Sequence, residues 1–162
     1  MKIVVVSDTH GKNTAILDIM SREKDADMLL HCGDICADVS EITENINCPF
    51  HVVSGNMDFG SPYPNEKVIE AEGHRIYLSH GNRQYVKFGL QELMDAAKDV
   101  YADIALFGHT HVALLDEKPG LKIMNPGSPV YPRNAERKGT YGIVEISTGG
   151  TVLRLKDYQP QT

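Results

Sequence analysis

Five short apolar runs in this chain each lead within a few residues to a glycine standing beside a side chain that can bind a metal ion. That repeated ending limits what the chain can fold into more than any other feature. Lys2 to Val6 runs into Asp8-Thr9-His10-Gly11, and Asp27 to His31 into Gly33-Asp34. Phe50 to Val53 runs into Gly55-Asn56-Met57-Asp58, Arg75 to Ser79 into His80-Gly81, and Asp103 to Phe107 into Gly108-His109-Thr110-His111. Thr14 to Arg22 has apolar residues at helical spacing (Ile16, Leu17, Ile19, Met20), and Val39 to Ile46 predicts a second helix. Strands alternating with helices imply parallel pairing, and in open α/β sheets ligands collect outside the carboxyl ends of such strands.

The pattern changes after Pro62 and Pro64. Lys67 to Ala71 and Arg75 to Ser79 flank Glu72-Gly73-His74 and predict an antiparallel hairpin. A helix is predicted over Phe88 to Ala97, with Leu90, Leu93, Met94 and Ala97 on one face. Two further hairpins are predicted, Val112 to Asp116 with Leu121 to Met124, and Thr140 to Ile146 with Val152 to Leu155. With no linker or repeat in 162 residues, the expectation is one α/β domain over 1–162, parallel in its first half and antiparallel in its second. A chain of this length can bury a full core without a structural metal or disulfides, so a metal here is expected to be functional.

Several classes fall away. The longest apolar stretch, Ile3 to Val6, is far short of the roughly 20 residues of a membrane span and too short for a secretory signal, so the expected location is the cytoplasm. Sixteen Lys and Arg against 22 Asp and Glu, net −6 with no basic block, argue against bulk nucleic-acid binding. Cys32, Cys36 and Cys48 lack a second pair to complete a zinc site and are expected to be reduced, mostly packed thiols.

Asp8 with His10, and His109 with His111, stand two apart, which in an extended segment places both side chains of a pair on one side, so each pair can grip one ion. Carboxylate, imidazole and amide donors without thiolate suit borderline divalent ions such as Mn, Fe, Zn, Co or Ni. Asp8, His10, Asp34, Asn56, His80, His109 and His111 are too many for one ion, because a catalytic zinc site uses three protein ligands and keeps a position open. Two ions fit better, and such a pair can hold a bridging hydroxide and clamp a phosphate for in-line displacement.

In this order, D-x-H, G-D, G-N-x-D, H and G-H-x-H, the sequence resembles the calcineurin-like metallophosphoesterases. The likeness extends from Met1 to about Ile146, and Asn125-Pro126-Gly127-Ser128 with the short length resembles the small YfcE-type phosphodiesterase branch. The resemblance implies a four-layer α/β/β/α sandwich of two mixed β-sheets flanked by helices. It implies that Asp8, His10 and His111 bind a first metal and Asn56, His80 and His109 a second, with Asp34 bridging. The cofactors implied are two divalent ions, manganese foremost, with Fe, Ni, Zn or Co as alternatives. Asp34, Asn56, His80 and His109 then carry the catalytic roles, and the function is phosphodiester hydrolysis by a metal-bridging hydroxide on a small phosphoester substrate. A phosphomonoesterase and a non-catalytic scaffold like the retromer subunit related to this family are the alternatives, and homo-oligomerisation stays open.

One position departs from the family. Many relatives have His after the Gly-Asn, a proposed proton donor to the leaving group, where this chain has Met57. A thioether cannot donate a proton. Diesters and aryl phosphates with acidic leaving groups are therefore expected to turn over better than alkyl monoesters, with Asp58 as a substitute donor or an orienting residue. His31 is read as a hydrogen-bonded near-core residue, His51 and His74 as structural or solvated. Arg133 is read as a solvated loop arginine, with phosphate anchoring as the alternative, and Tyr85, Phe88 and Met94 as core packing rather than a partner surface. Specificity is expected in the loops Phe59 to Glu66 and Asn82 to Lys87.

Overall fold

The valine run near the N-terminus becomes β1 (Lys2–Val6), and its last four residues are completely buried. Ile3 and Val5 pack on one face with Ile76, Leu78, Ile104 and Leu106 of a second sheet, while Val4 and Val6 pack on the other with Ile16 and Ile19 of a helix. A strand covered on both faces has no polar alternation to display, which is why this segment reads as a continuous apolar run.

The computed structural model describes residues 1–161 and contains two five-stranded mixed sheets. The first has the order β10-β9-β1-β2-β3, where β2 is Met28–His31, β3 Phe50–Val52, β9 Gly139–Ser147 and β10 Gly150–Tyr158. β1, β2 and β3 are parallel, and β9 and β10 run antiparallel on the far side. The second sheet has the order β4-β5-β6-β8-β7, built from Glu66–Ala71, His74–Ser79, Ile104–Leu106, Leu121–Asn125 and Leu114–Lys118 respectively. In it β5, β6 and β8 are parallel, so the second half is not purely antiparallel as expected: a helix and the β7 hairpin strand carry the chain back to the same end between them.

Helices α1 (Asn13–Arg22) and α2 (Ser40–Asn45) cover the outer face of the first sheet through Ile16, Ile19 and Ile42. Helix α3 (Gln91–Asp99) covers the second through Leu93 and Ala97, packed with Tyr77, Ala105 and Ile123. The result is the four-layer sandwich of two mixed sheets flanked by helices. Among the described residues no helix is long and apolar enough to cross a membrane.

Two local expectations are corrected. The third helix begins at Gln91 rather than Phe88, because Gly89 takes φ +140°, outside the helical range. Phe88 and Tyr85 consequently lie in the loop before it, 90% and 64% exposed, instead of in the core, whereas Met94 does pack against it. The first strand of the next hairpin starts at Leu114 rather than Val112, since the backbone before it belongs to the loop carrying His109 and His111.

Register places the ligand-bearing segments together. Val6 of β1, His31 of β2 and Val52 of β3 stand side by side, as do Leu78 of β5, Leu106 of β6 and Met124 of β8. The chain therefore leaves both sheets along one shared edge.

Candidate metal centre

At that edge two overlapping groups of donors form. Asp8, His10 and His111 present ligand atoms within 4.8 Å of one another, and so do Asp8, Asp34 and His80. Asp34 Oδ2 lies 3.3 Å from His80 Nε2 and 3.9 Å from His10 Nε2, so it faces both groups. Asn56 Oδ1 is 3.0 Å from His80 Nε2, and the His109 ring centroid is 5.1 Å from that of His80. All seven residues singled out in the sequence meet here.

They do not meet as the spacing suggests. Asp8 (φ 56°), His10 (φ 41°), Asp34 (φ 55°), His109 (φ 70°) and His111 (φ 59°) all have left-handed backbone, so the two-apart pairs are not extended. His109 and His111 also separate, His111 joining Asp8 and His10 while His109 stacks edge-on to His80. A non-glycine residue in this region costs about 1–3 kcal/mol, and such strain persists where the surrounding structure over-determines it, typically at functional sites. The adjacent glycines make room for the turns. A Cβ on Gly55 would lie 2.1 Å from Asp34 Oδ1, and one on Gly108 would lie 2.0 Å from Ser7 Oγ.

The donor atoms are prepared for a cation. His111 Nδ1 faces the Tyr131 carbonyl at 2.7 Å and His80 Nδ1 the Cys32 carbonyl at 2.8 Å. A carbonyl only accepts, so each ring carries a proton at Nδ1 and turns Nε2 inward. Asp8 Oδ2 accepts from the Ser7 hydroxyl (2.6 Å) and the His109 amide (3.1 Å). Asp8 Oδ1, wholly buried, has no hydrogen-bond partner among the described residues, and His111 Nε2 stands 3.2 Å away. A buried carboxylate oxygen facing an imidazole lone pair is an arrangement that a divalent ion satisfies.

Electrostatics agree. Burial alone would raise the Asp8 carboxyl, but the His111 ring, His80 and Ser7 outweigh it and hold it below the ordinary range. Burial would lower His80, yet Asp34 and Asp8 raise it above its usual value, so a proton and a cation compete for Nε2. His109 is held at about 4 by burial, by His80 and by Lys87.

Residues behind the ligands position them, and most were not legible as such. Asp58 accepts from the amides of Asp34 (2.7 Å), Cys36 (2.8 Å) and Gly55 (2.8 Å), which ties the second ligand loop to the third. With both oxygens taken up by amides, it is an orienting residue and not a spare acid. His31, held neutral at about 4 by burial, accepts from the Gly33 amide and pairs with Thr9 Oγ1 at 2.9 Å, joining the Asp8 and Asp34 loops. Asn125 donates to the Gly108 carbonyl and the Ser128 hydroxyl to the Asp8 carbonyl, both at 2.9 Å. Alternation of buried partners across four loops leaves no periodic trace, so only the Asn125-Pro126-Gly127-Ser128 run hinted at this role. Of the three thiols, expected to be mostly packed, Cys36 is exposed beside the site with Sγ 3.7 Å from His10 Nδ1, and all three are free.

Two grooves flank the cluster. One of about 560 Å³ lies outside His10 and His111 against Tyr131, Arg133 and Arg137, and another of about 630 Å³ lies against Cys36, Met57, Phe59 and Tyr63. The second belongs to the loop Phe59 to Glu66 named from the sequence, whereas Arg137 of the first was not singled out.

A double-sheet sandwich with buried Asp and His donors at one strand edge defines a metal-binding α/β/β/α protein. Residues 1–149 match the model of the calcineurin-like phosphoesterase superfamily domain, and the chain belongs to that superfamily. It is similar to a Bacillus subtilis (strain 168) protein named probable metallophosphoesterase YsnB, 31% identical over 160 residues covering 97% of this chain and 91% of the relative. Among solved structures, a Streptococcus pneumoniae TIGR4 protein described as a predicted phosphoesterase superposes with TM-score 0.80 at 28% identity, covering 96% of this chain and 97% of its own. Vps29 from Entamoeba histolytica complexed with Zn²⁺ shares the fold at TM-score 0.78 and 21% identity, covering 98% and 100%. YfcE, a phosphoesterase from E. coli, does so at TM-score 0.67 and 20% identity, covering 90% and 88%.

Proposed function

We propose that this phosphoesterase-family chain is a phosphodiesterase that works with two divalent ions, manganese foremost, and that Asp8, His10, Asp34, Asn56, His80, His109 and His111 hold them. The observation that carries this reading is the buried, unpartnered Asp8 Oδ1 turned toward His111 Nε2. When bound, two such ions supply an activated water and positive charge against the phosphoryl oxygens.

The chain's own residues do the rest. Asp34 faces both groups of imidazoles and is fixed there by the Met57 amide, which donates to Oδ1 at 2.7 Å. Asn56 and His109 flank His80 on the side where the third loop and the β6 loop meet, in reach of a phosphoryl group held between them. The Met57 side chain, 47% exposed beside them, has no proton to give. His109, offered here as a ligand, has its ring nitrogen committed to the cation and is not free to protonate the leaving group. Leaving groups that depart without protonation are therefore favoured, which selects diesters with acidic leaving groups over alkyl monoesters. Three free thiols fit a cytoplasmic setting.

Elemental analysis of purified protein, paired with hydrolysis of bis-p-nitrophenyl phosphate and p-nitrophenyl phosphate, tests the reading. Two bound ions and faster diester turnover are expected. Faster monoester turnover assigns a phosphomonoesterase, and stoichiometric metal without hydrolysis of either assigns a scaffold. Asp34→Asn should lose activity and most bound metal together; full activity in that variant removes it from the shared position.

A further inference from the structure

The groove outside His10 and His111 is lined by two arginines, Arg133 and Arg137. Arg22, Arg75 and Arg154 are paired with Asp18, Glu70 and Glu145, while Arg83, away from this groove, is the third arginine with no ion pair among the described residues. Among the described residues, neither Arg133 nor Arg137 has a carboxylate within ion-pair distance, and both line this one groove, whose wall contains no acidic residue. Nearby Glu136 is turned to Lys138 at 2.8 Å. In a chain of net charge −6, two unneutralised arginines lining one groove at the edge of the donor cluster form a local site for an anion.

Their distance from the cluster is set by the backbone. The Arg133 amide donates to the His111 carbonyl at 3.0 Å, and His111 Nδ1 donates to the Tyr131 carbonyl at 2.7 Å, so the loop is pinned twice to a candidate ligand. Asn134 closes the next turn, donating to the Lys138 carbonyl at 2.7 Å and accepting from its amide at 3.0 Å, which places Arg137 over the same groove. The opposite groove differs, because Met57, Phe59, Tyr63 and Asp38 line it and no basic residue does. One side of the cluster is cationic, and the other is apolar with two acids, Asp38 and Asp58.

Resting on the phosphodiesterase reading, we propose that Arg133 and Arg137 are specificity-determining residues that bind a second phosphate, carried on the arm of the diester that is not expelled. The substrate class is then a phosphodiester with a terminal phosphate on one arm. A guanidinium matches the paired oxygens of a phosphate, and two of them match its double charge better than a single carboxylate. The apolar groove beside Met57 is left for the leaving group.

Two chromogenic diesters with the same leaving group test this, p-nitrophenyl 2-phosphonoethyl phosphate and p-nitrophenyl ethyl phosphate. The wild-type chain should show kcat/KM at least about tenfold higher for the phosphonate-bearing ester. In R133Q/R137Q that preference should vanish, while the ethyl ester is cleaved within about twofold of wild type. A second measurement does not depend on turnover: titrating the protein, without added metal, with ethylphosphonate while following the Arg133 and Arg137 Nε–H signals by NMR. Saturable shifts at those two signals are expected, and in the double variant the backbone amide signals of the same loop should no longer shift. Equal kcat/KM for the two esters overturns the proposal, and when accompanied by saturable shifts it means that the groove holds free phosphate rather than a substrate arm. If neither ester is cleaved, the hydrolytic reading fails, and absence of shifts at the two arginines then rejects the groove as well.

Discussion

Two buried carboxylates in this molecule are treated in opposite ways. Glu23, just after α1 and only 3% exposed, accepts from the Tyr141 hydroxyl at 2.6 Å and pairs with Lys2 at 2.7 Å and with Lys156. Burial alone would raise its pKa, but Lys156, Lys2 and Tyr141 outweigh that and bring it down to about 2. Asp8, equally buried, is surrounded by imidazoles, and one of its oxygens is left with no partner. The chain supplies the cations for its structural carboxylate and leaves its site carboxylate to be completed from outside. Backbone conformation follows the same division, φ being −105° at Glu23 and +56° at Asp8.

Substituting the two carboxylates in turn breaks the comparison most sharply. Asp8→Asn should lower hydrolysis of bis-p-nitrophenyl phosphate by about 10³-fold, since several kcal/mol of charge stabilisation goes with the metal. In chelator-treated protein the same variant should melt close to wild type, because a new amide donor to His111 Nε2 offsets the loss of the interactions that favour the carboxylate. A clear fall in melting temperature there would mean that Asp8 is structural after all.

Met57→His should raise turnover of an alkyl phosphate monoester by about 10²-fold, the lower end of what a general acid contributes. The side chain is half exposed, so the imidazole needs no repacking of the core. An unchanged rate would show that leaving-group protonation is not limiting. Asp58→Asn comes next. One amide oxygen cannot serve three backbone N–H groups, and the NH₂ would face one of them, so metal affinity or activity should fall about 10–100-fold as the Asp34 and Gly55 loops loosen. Metal titration of the variant reads this directly.

Glu23→Gln is the smallest effect and tests the other half of the contrast. Activity should not change, while loss of the charged partner should cost about 2 kcal/mol, or roughly 4–8 °C in melting temperature. The sign with pH follows from the lowered pKa. Glu23 is ionised in the folded protein down to about 2 but is protonated in the unfolded chain below its ordinary 4.5, so its contribution is complete above 4.5 and fades as pH falls toward 2. The melting-temperature gap between wild type and variant should close over that interval, and a gap that persists at pH 2 would contradict the assignment.

Much of this was readable before any coordinates. The Lys2 to Val6 run, the hairpin around Glu72-Gly73 and the α1 pattern announced their elements because burial of one or both faces dictates residue type at each position. Phe88 misled, since an aromatic residue at helical spacing reads as core until Gly89 turns the chain away. The spacing of His109 and His111 was visible too, but not that a left-handed backbone would send them to different neighbours.

What the amino-acid order settled by itself is which side chains can take part. Donors placed just after strands must gather wherever parallel strands end, whatever the details of packing. Tertiary structure alone decided which atoms face inward, that Asp58 and His31 serve as ties between loops, and that Arg133 and Arg137 share a groove without acids. Those outcomes depend on contacts between loops distant along the chain, and a hydrogen bond across such a distance imposes no spacing that a linear pattern could record.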